Sequence, residues 1–203
     1  MTGDGPLPAG SFSAWLAGMR RALGAGGEGS DVPCAGCTAC CTSAQFVHIG
    51  PDEDDTLAHI PRRLLFPAPR MPAGHVLLGY DRNGQCPMLV DGACSIYEHR
   101  PRTCRTYDCR VFPAAGIDAD ADKPAIVERA RRWRFEFPAE ADRVEHEAVQ
   151  AATAYVAERD DLAATATQRA VLAVQLSDLF LDDEPASRRA AAVEARLQDL
   201  SRR

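Results

Sequence analysis

The chain is short of almost everything that marks a nucleic-acid or membrane protein. It has a single lysine, Lys123, and its 29 acidic residues outnumber 23 basic ones, for a formal net charge of −6. Binding to a phosphate backbone needs a basic footprint, so no nucleic-acid partner is expected. No stretch approaches the roughly 18 consecutive apolar residues of a membrane span, and no membrane partner is expected either. Aromatic residues make up only 6%, and much of the 46% hydrophobic content is alanine, which favours helix. The Arg- and Ala-rich composition suggests a GC-rich, bacterial source. Zincin helices, nucleophile elbows and phosphate-binding loops are missing as well, so no catalytic residue is selected. Met1 to Gly10 lacks the charged-then-apolar order of an export signal, and a cytoplasmic location is expected.

What the chain does have is eight cysteines, four of them within eight residues: Cys34-Ala-Gly-Cys37-Thr-Ala-Cys40-Cys41. Disulfide pairing is the competing use of an even cysteine count. In a reducing compartment, clustered cysteines serve more often as metal ligands. A helical reading of this run puts Cys34, Cys37 and Cys41 on one face and turns Cys40 away. A turn instead converges Cys34, Cys37 and Cys40, as in cluster-binding ferredoxin loops. The intervening Ala35, Gly36, Thr38 and Ala39 are small and leave backbone amides close enough to donate to sulfur.

The second run is spread from Cys86 to Cys109. Asp91-Gly92 is a favoured two-residue hairpin turn between Leu89-Val90 and Ala93-Cys94, a geometry that brings Cys86 and Cys94 together. Pro101 forces extended backbone at Arg100, and Cys104 and Cys109 follow. Four thiolates on one divalent zinc leave a net charge of about −2. Arg100, Arg102, Arg105 and Arg110 are placed to offset it. The five histidines show no paired ligand spacing, and His99 is the best candidate among them by proximity alone.

Outside the cysteines the pattern is helical. Ser11 to Leu23 reads as a short amphipathic helix, and Gly24 to Gly29 as a flexible linker. Ile126, Ala130, Trp133 and Phe137 predict a helix over 124–137. Val144, Ala148, Ala151 and Tyr155 predict the buried stripe of the next, starting at Pro138. Asp160-Asp161 is the expected cap of a third helix carrying Leu172, Leu176, Leu179 and Phe180, and Pro185 opens a fourth. The expected fold is α+β, mainly α: an irregular cysteine-rich metal-binding core with a small β-hairpin, braced by C-terminal helices. The expected divisions are 1–30, 31–117 and 118–203.

In combination, Cys34-x-x-Cys37-x-x-Cys40-Cys41, Cys86-Pro-x-Leu and Cys94-Ser-Ile-Tyr-Glu-His-Arg-Pro-x-x-Cys104-Arg resemble the CxxCxxCC (YkgJ-like) cysteine-cluster family. The resemblance runs from Cys34 to Arg110, under half the chain. It implies a zinc- or iron-chelating domain and carries over Cys34, Cys37, Cys40, Cys41, Cys86, Cys94 and Cys104 as ligands. Cys109 matches only a subset of such proteins and completes the expected set of eight. Flagellin lysine methylases carry a similar cysteine cluster. Three functions follow as expectations: a chelating domain holding zinc or iron and shaping a surface for a protein partner, an iron–sulfur carrier or protein-modifying enzyme, and a thiol redox sensor.

Overall fold

A computed structural model describes residues 5–24, 29–30, 32 and 36–202. Helix accounts for 49% and strand for 12% of them, so the fold is α+β and mainly α. The chain runs β1 (Leu7–Ser11), α1 (Phe12–Leu23), β2 (Val47–Ile49), α2 (Asp54–His59), β3 (Leu65–Pro67), β4 (Val76–Leu78), β5 (Leu89–Val90) and β6 (Ala93–Cys94). It continues through α3 (Arg102–Thr106), α4 (Val111–Ala115), α5 (Pro124–Arg131), β7 (Trp133–Glu136), α6 (Glu140–Ala157), α7 (Ala166–Leu176) and α8 (Ala186–Leu200). The chain divides into two compact units. A helical unit comprises Met1–Gly27, Cys109–Ala121 and Val127–Arg203, and a cysteine unit comprises Glu28–Asp108 and Asp122–Ile126. Most of the expected linker, residues 25–28, lies outside the described residues.

The helical unit is built on α1, α6 and α7. The Ser11 hydroxyl caps α1 by accepting from the Ala14 amide, and the face carrying Phe12, Trp15, Leu16 and Met19 is buried. Phe12 is fully buried, with ring centroids 5.5 Å from Trp15, 5.1 Å from Phe135 and 4.7 Å from His146. Burying a side chain of that size contributes about 1.5–3 kcal/mol. A second apolar cluster joins Ala152 and Val156 of α6, Leu172, Ala173 and Leu176 of α7, and Val193 of α8.

Three expectations are corrected here. The helix expected over 124–137 stops at Arg131, and Trp133 to Glu136 is a strand paired in parallel with β1, Leu7 opposite Trp133. Within the strand, buried Trp133 and half-buried Phe135 alternate with exposed Arg134 and Glu136, a period of two. In α6 the buried stripe is Ala148, Val149, Ala152, Thr153 and Val156, while Val144 and Ala151 face solvent. The cap of α7 is Thr165, whose hydroxyl accepts from the Gln168 amide while the Gln168 side chain accepts from the Thr165 amide. Asp161 instead pairs with Arg159 at 3.0 Å. The helix opened by Pro185 is present as α8.

One carboxylate ties two helix starts together. Asp142, in the first turn of α6, accepts from the Ala139 amide at 2.9 Å through Oδ2. Its Oδ1 accepts from the Ser13 amide at 2.9 Å and the Ser11 hydroxyl at 2.8 Å, at the start of α1. An anion at two positive helix ends is favoured. The Ser13 amide, the Ser11 hydroxyl and the Ala139 amide together hold the Asp142 carboxyl down to about 2, from an ordinary 3.8. A depressed carboxyl stabilises the fold at pH values above its unfolded value, and that contribution is lost as pH falls from 3.8 toward 2. Urea midpoints of the native chain and Asp142→Asn should therefore differ most above pH 4 and converge near pH 2. A gap that does not change with pH would remove the linkage.

Candidate metal centre

The cysteine unit is organised by short elements around a small apolar cluster. Strands β2, β4 and β3 form an antiparallel sheet in that order, with Val47 opposite Leu78 and Leu65 opposite the same residue. Val47, Ile49, Ile60, Leu78 and Ile96 make the core, and Cys86, Met88, Cys94 and Cys104 pack against it.

The first cysteine run enters as a turn followed by a single 3-10 turn over Cys40–Thr42. The Thr42 amide and hydroxyl both donate to the Thr38 carbonyl, and the Ser43 hydroxyl donates to that of Ala39 at 2.6 Å. Cys34 lies outside the described residues. Two backbone bonds then connect the runs: the Cys86 amide donates to the Cys41 carbonyl at 2.7 Å, and the Ala44 amide to the Gly84 carbonyl at 2.8 Å. Gly84 has φ +75°, a left-handed conformation that other residues rarely adopt, so glycine suits this crossing.

The hairpin forms as expected. Asp91 and Gly92 both take positive φ, 49° and 76°, as a two-residue type I′ turn requires. Cys94 faces Leu89 across it, and Cys86 sits just before β5, where the Leu89 amide closes a turn onto its carbonyl at 2.9 Å. A 3-10 turn over Tyr97–His99 follows, with Ile96 buried. Arg100 is extended ahead of Pro101, and its guanidinium lies 3.6 Å over the Tyr97 ring. Pro101 starts α3, which carries Cys104. The Thr103 hydroxyl fastens this helix to β2 by donating to the His48 carbonyl at 2.7 Å.

These elements surround a cavity of about 360 Å³ lined by Cys37, Cys40, Cys41, Cys86, Cys94 and Cys104. Phe46, Val47, Leu78, Met88 and Ile96 supply apolar wall, and Arg100 also lines it. Cys104 is part-buried as a residue, yet burial of its thiol pushes it up to about 12, reinforced by the sulfurs of Cys86, Cys41 and Cys94. Arg100 pulls the other way, more weakly. Burial also raises Cys86, with Cys94 adding to it, while the Met88 and Leu89 amides beside the sulfur draw it down. Four sulfurs from both runs are thus close enough to feel one another's charge.

The remaining expected residues lie elsewhere. Cys109 belongs to the helical unit, is buried, and its sulfur accepts the Trp133 indole N–H at 3.1 Å. Of the four arginines expected to balance sulfur charge, Arg100 lines the cavity. Arg102 pairs with Asp52, and Arg110 donates to the Ala9 carbonyl. Four of the five histidines, without paired spacing in sequence, are paired in space. His48 Nε2 is 2.9 Å from His75 Nδ1, and the His59 and His99 rings stack 3.6 Å apart. The i, i+4 placement of Asp55 and His59 was the available signal for the second pair. It was silent because His99 arrives forty positions later.

Residues 33–125 match the family model CxxCxxCC, described as "Putative zinc- or iron-chelating domain". This segment is similar to a CxxCxxCC domain. It spans just under half of the chain and contains all eight cysteines. No curated protein and no solved structure matches the chain. No helix among the described residues is long and apolar enough to cross a membrane.

A thiol held near 12 reacts through a vanishing thiolate fraction. In metal-stripped protein at pH 8, Cys104 should alkylate with iodoacetamide at least about tenfold more slowly in the folded chain than in urea, because its higher intrinsic nucleophilicity recovers only part of the lost thiolate. Peptide mass spectrometry reads the rate; equal rates in the two states would contradict the burial assigned to this sulfur.

Proposed function

We propose that the CxxCxxCC domain holds zinc or iron through Cys37, Cys40, Cys41, Cys86, Cys94 and Cys104, with Cys34 as the remaining member of the first run. The observation that carries this reading is the joining of the two cysteine runs. The Cys86 amide bonds to the Cys41 carbonyl, and the part-buried Cys104 shares a cavity with sulfurs from both runs. The donor set fits such an ion. Thiolate is the soft ligand that selects zinc or iron–sulfur centres, and a bound cation supplies the charge that lets buried thiols ionise.

The chain's own groups prepare the sulfurs. The Met88 and Leu89 amides are aimed at Cys86, which lowers the basicity of its thiolate and fixes its direction. Arg100 supplies positive charge at the cavity wall. Cys109 is left out of the set because it is not among the residues lining the cavity; its sulfur accepts from the Trp133 indole. The role assigned to the ion is structural: it ties segments about fifty residues apart and so stabilises the surface they form, to which a protein partner would bind.

A second reading rests on the ligand count. Six described cysteines line one cavity, more than the four that a tetrahedral zinc takes. An iron–sulfur cluster is likewise held by four cysteines, so the set accommodates one with thiols to spare, and with it a carrier or a protein-modifying enzyme like the cysteine-cluster part of flagellin lysine methylases.

Anaerobic purification followed by metal and acid-labile sulfide analysis separates these readings. Zinc or iron bound tightly enough to survive dialysis is expected, and Cys86→Ser and Cys104→Ser should lose most of it while Cys109→Ser keeps it. A colourless zinc protein without sulfide eliminates the cluster, and visible absorption with sulfide selects it. A fully folded chain free of both metals, unchanged by chelator, would sink the proposal.

A further inference from the structure

The cysteine unit holds another group of metal-ligand side chains, made of different atoms. Helix α2 places Asp55 and His59 four residues apart on one face. The Tyr97–His99 turn packs on that helix, and the Thr56 hydroxyl donates to the Arg100 carbonyl at 3.4 Å. Asp55, His59 and His99 each present one ligand atom, and these all lie within 4.8 Å of one another.

The polar contacts define the arrangement. His99 Nδ1 lies 2.7 Å from Asp55 Oδ2, and His59 Nδ1 lies 3.8 Å from Asp55 Oδ1. His59 Nδ1 is also 2.8 Å from the Asp55 backbone carbonyl. A carbonyl oxygen can only accept, so the proton sits on Nδ1 and the Nε2 lone pair of neutral His59 is available. Orientation of a ligating imidazole by a bond from its other nitrogen is the usual arrangement in metal sites. The hydrogen bond from His99, above all, holds the Asp55 carboxyl below its ordinary value, so it is anionic at neutral pH.

We propose that Asp55, His59 and His99 form a second metal site, which takes a divalent transition ion of the zinc class. Two imidazoles and a carboxylate are borderline-to-hard donors, unlike the soft sulfurs of the cavity. Three protein ligands leave at least one coordination position for water or another ligand. Zinc with nitrogen and oxygen ligands at 2.0–2.2 Å places those atoms roughly 3.3 Å apart, so separations of up to 4.8 Å must contract by up to about 1.5 Å. The stacked rings, within 5° of parallel, must also turn, and the His99–Asp55 hydrogen bond must give way, for both lone pairs and the carboxylate to meet one ion. Torsion about χ2 of histidine is soft, and the side chains have room: Asp55 is 70%, His59 41% and His99 38% exposed.

This site does not depend on the cysteine reading, and its test is independent of it. Zinc is titrated into the full chain as purified, its cysteine centre loaded, labelled with ¹⁵N at histidine. Ring nitrogens of His59 and His99 should shift on saturation while those of His48, His75 and His146 stay in place. Dialysis of His99→Ala and Asp55→Asn should show zinc binding at this site weakened at least about tenfold, as loss of a ligand costs no less than loss of its supporting bond. Metal retained after dialysis reports the cysteine centre and the ring shifts report this one, so failure of the cysteine centre leaves this result readable. If the two rings do not respond to excess zinc in the native chain, or if His99→Ala binds zinc at this site with unchanged affinity, the site does not exist.

Discussion

Everything in the cysteine unit is arranged around one constraint: sulfurs that share a poorly solvated cavity cannot all carry charge without a cation. Burial and the sulfurs of Cys86, Cys41 and Cys94 push the Cys104 thiol to about 12. The same crowding makes the four a good host for an ion, because what repels as thiolates is attracted together by a metal. The backbone absorbs the cost of bringing them close. Cys41 and Cys86 are joined through main-chain atoms, and the I′ turn at Asp91-Gly92 returns the chain to Cys94. Pro101 starts a helix that delivers Cys104.

Local chemistry was readable in the sequence, and distant pairing was not. The hairpin was legible because Asp-Gly dictates its turn with no help from the rest of the chain. Helix α1 was legible because Ser11 caps it and its apolar face is regular. Trp133 to Phe137 fits a helical period as well as a strand. What decides is β1, more than a hundred residues earlier, offering a parallel edge. The one-residue shift of the buried face of α6 has a similar origin. Asp142, reaching to the start of α1, fixes which side turns inward.

The cysteine motif showed which thiols to suspect and left their division open. Spacing could not reveal that Cys109, only five positions after Cys104, falls in another compact unit with an indole on its sulfur. Nor could it reveal that Asp55, His59 and His99 meet, since two come from a helix and the third from a turn beyond the hairpin.

The two units are interleaved along the chain: the helical one is split by residues 28–108, which make up nearly all of the other. Strand β1 and helix α1 must therefore wait for β7 and α6, partners about 130 residues downstream, before their contacts can form. Such non-local closure is slow. During synthesis from the N-terminus the cysteine segment is complete first. The thiols are thus presented to the surrounding solution, and to whatever ions it holds, while the helical unit is still being made. Closure of the cysteine segment and folding of the helical unit become sequential steps, ordered by the way the chain is threaded.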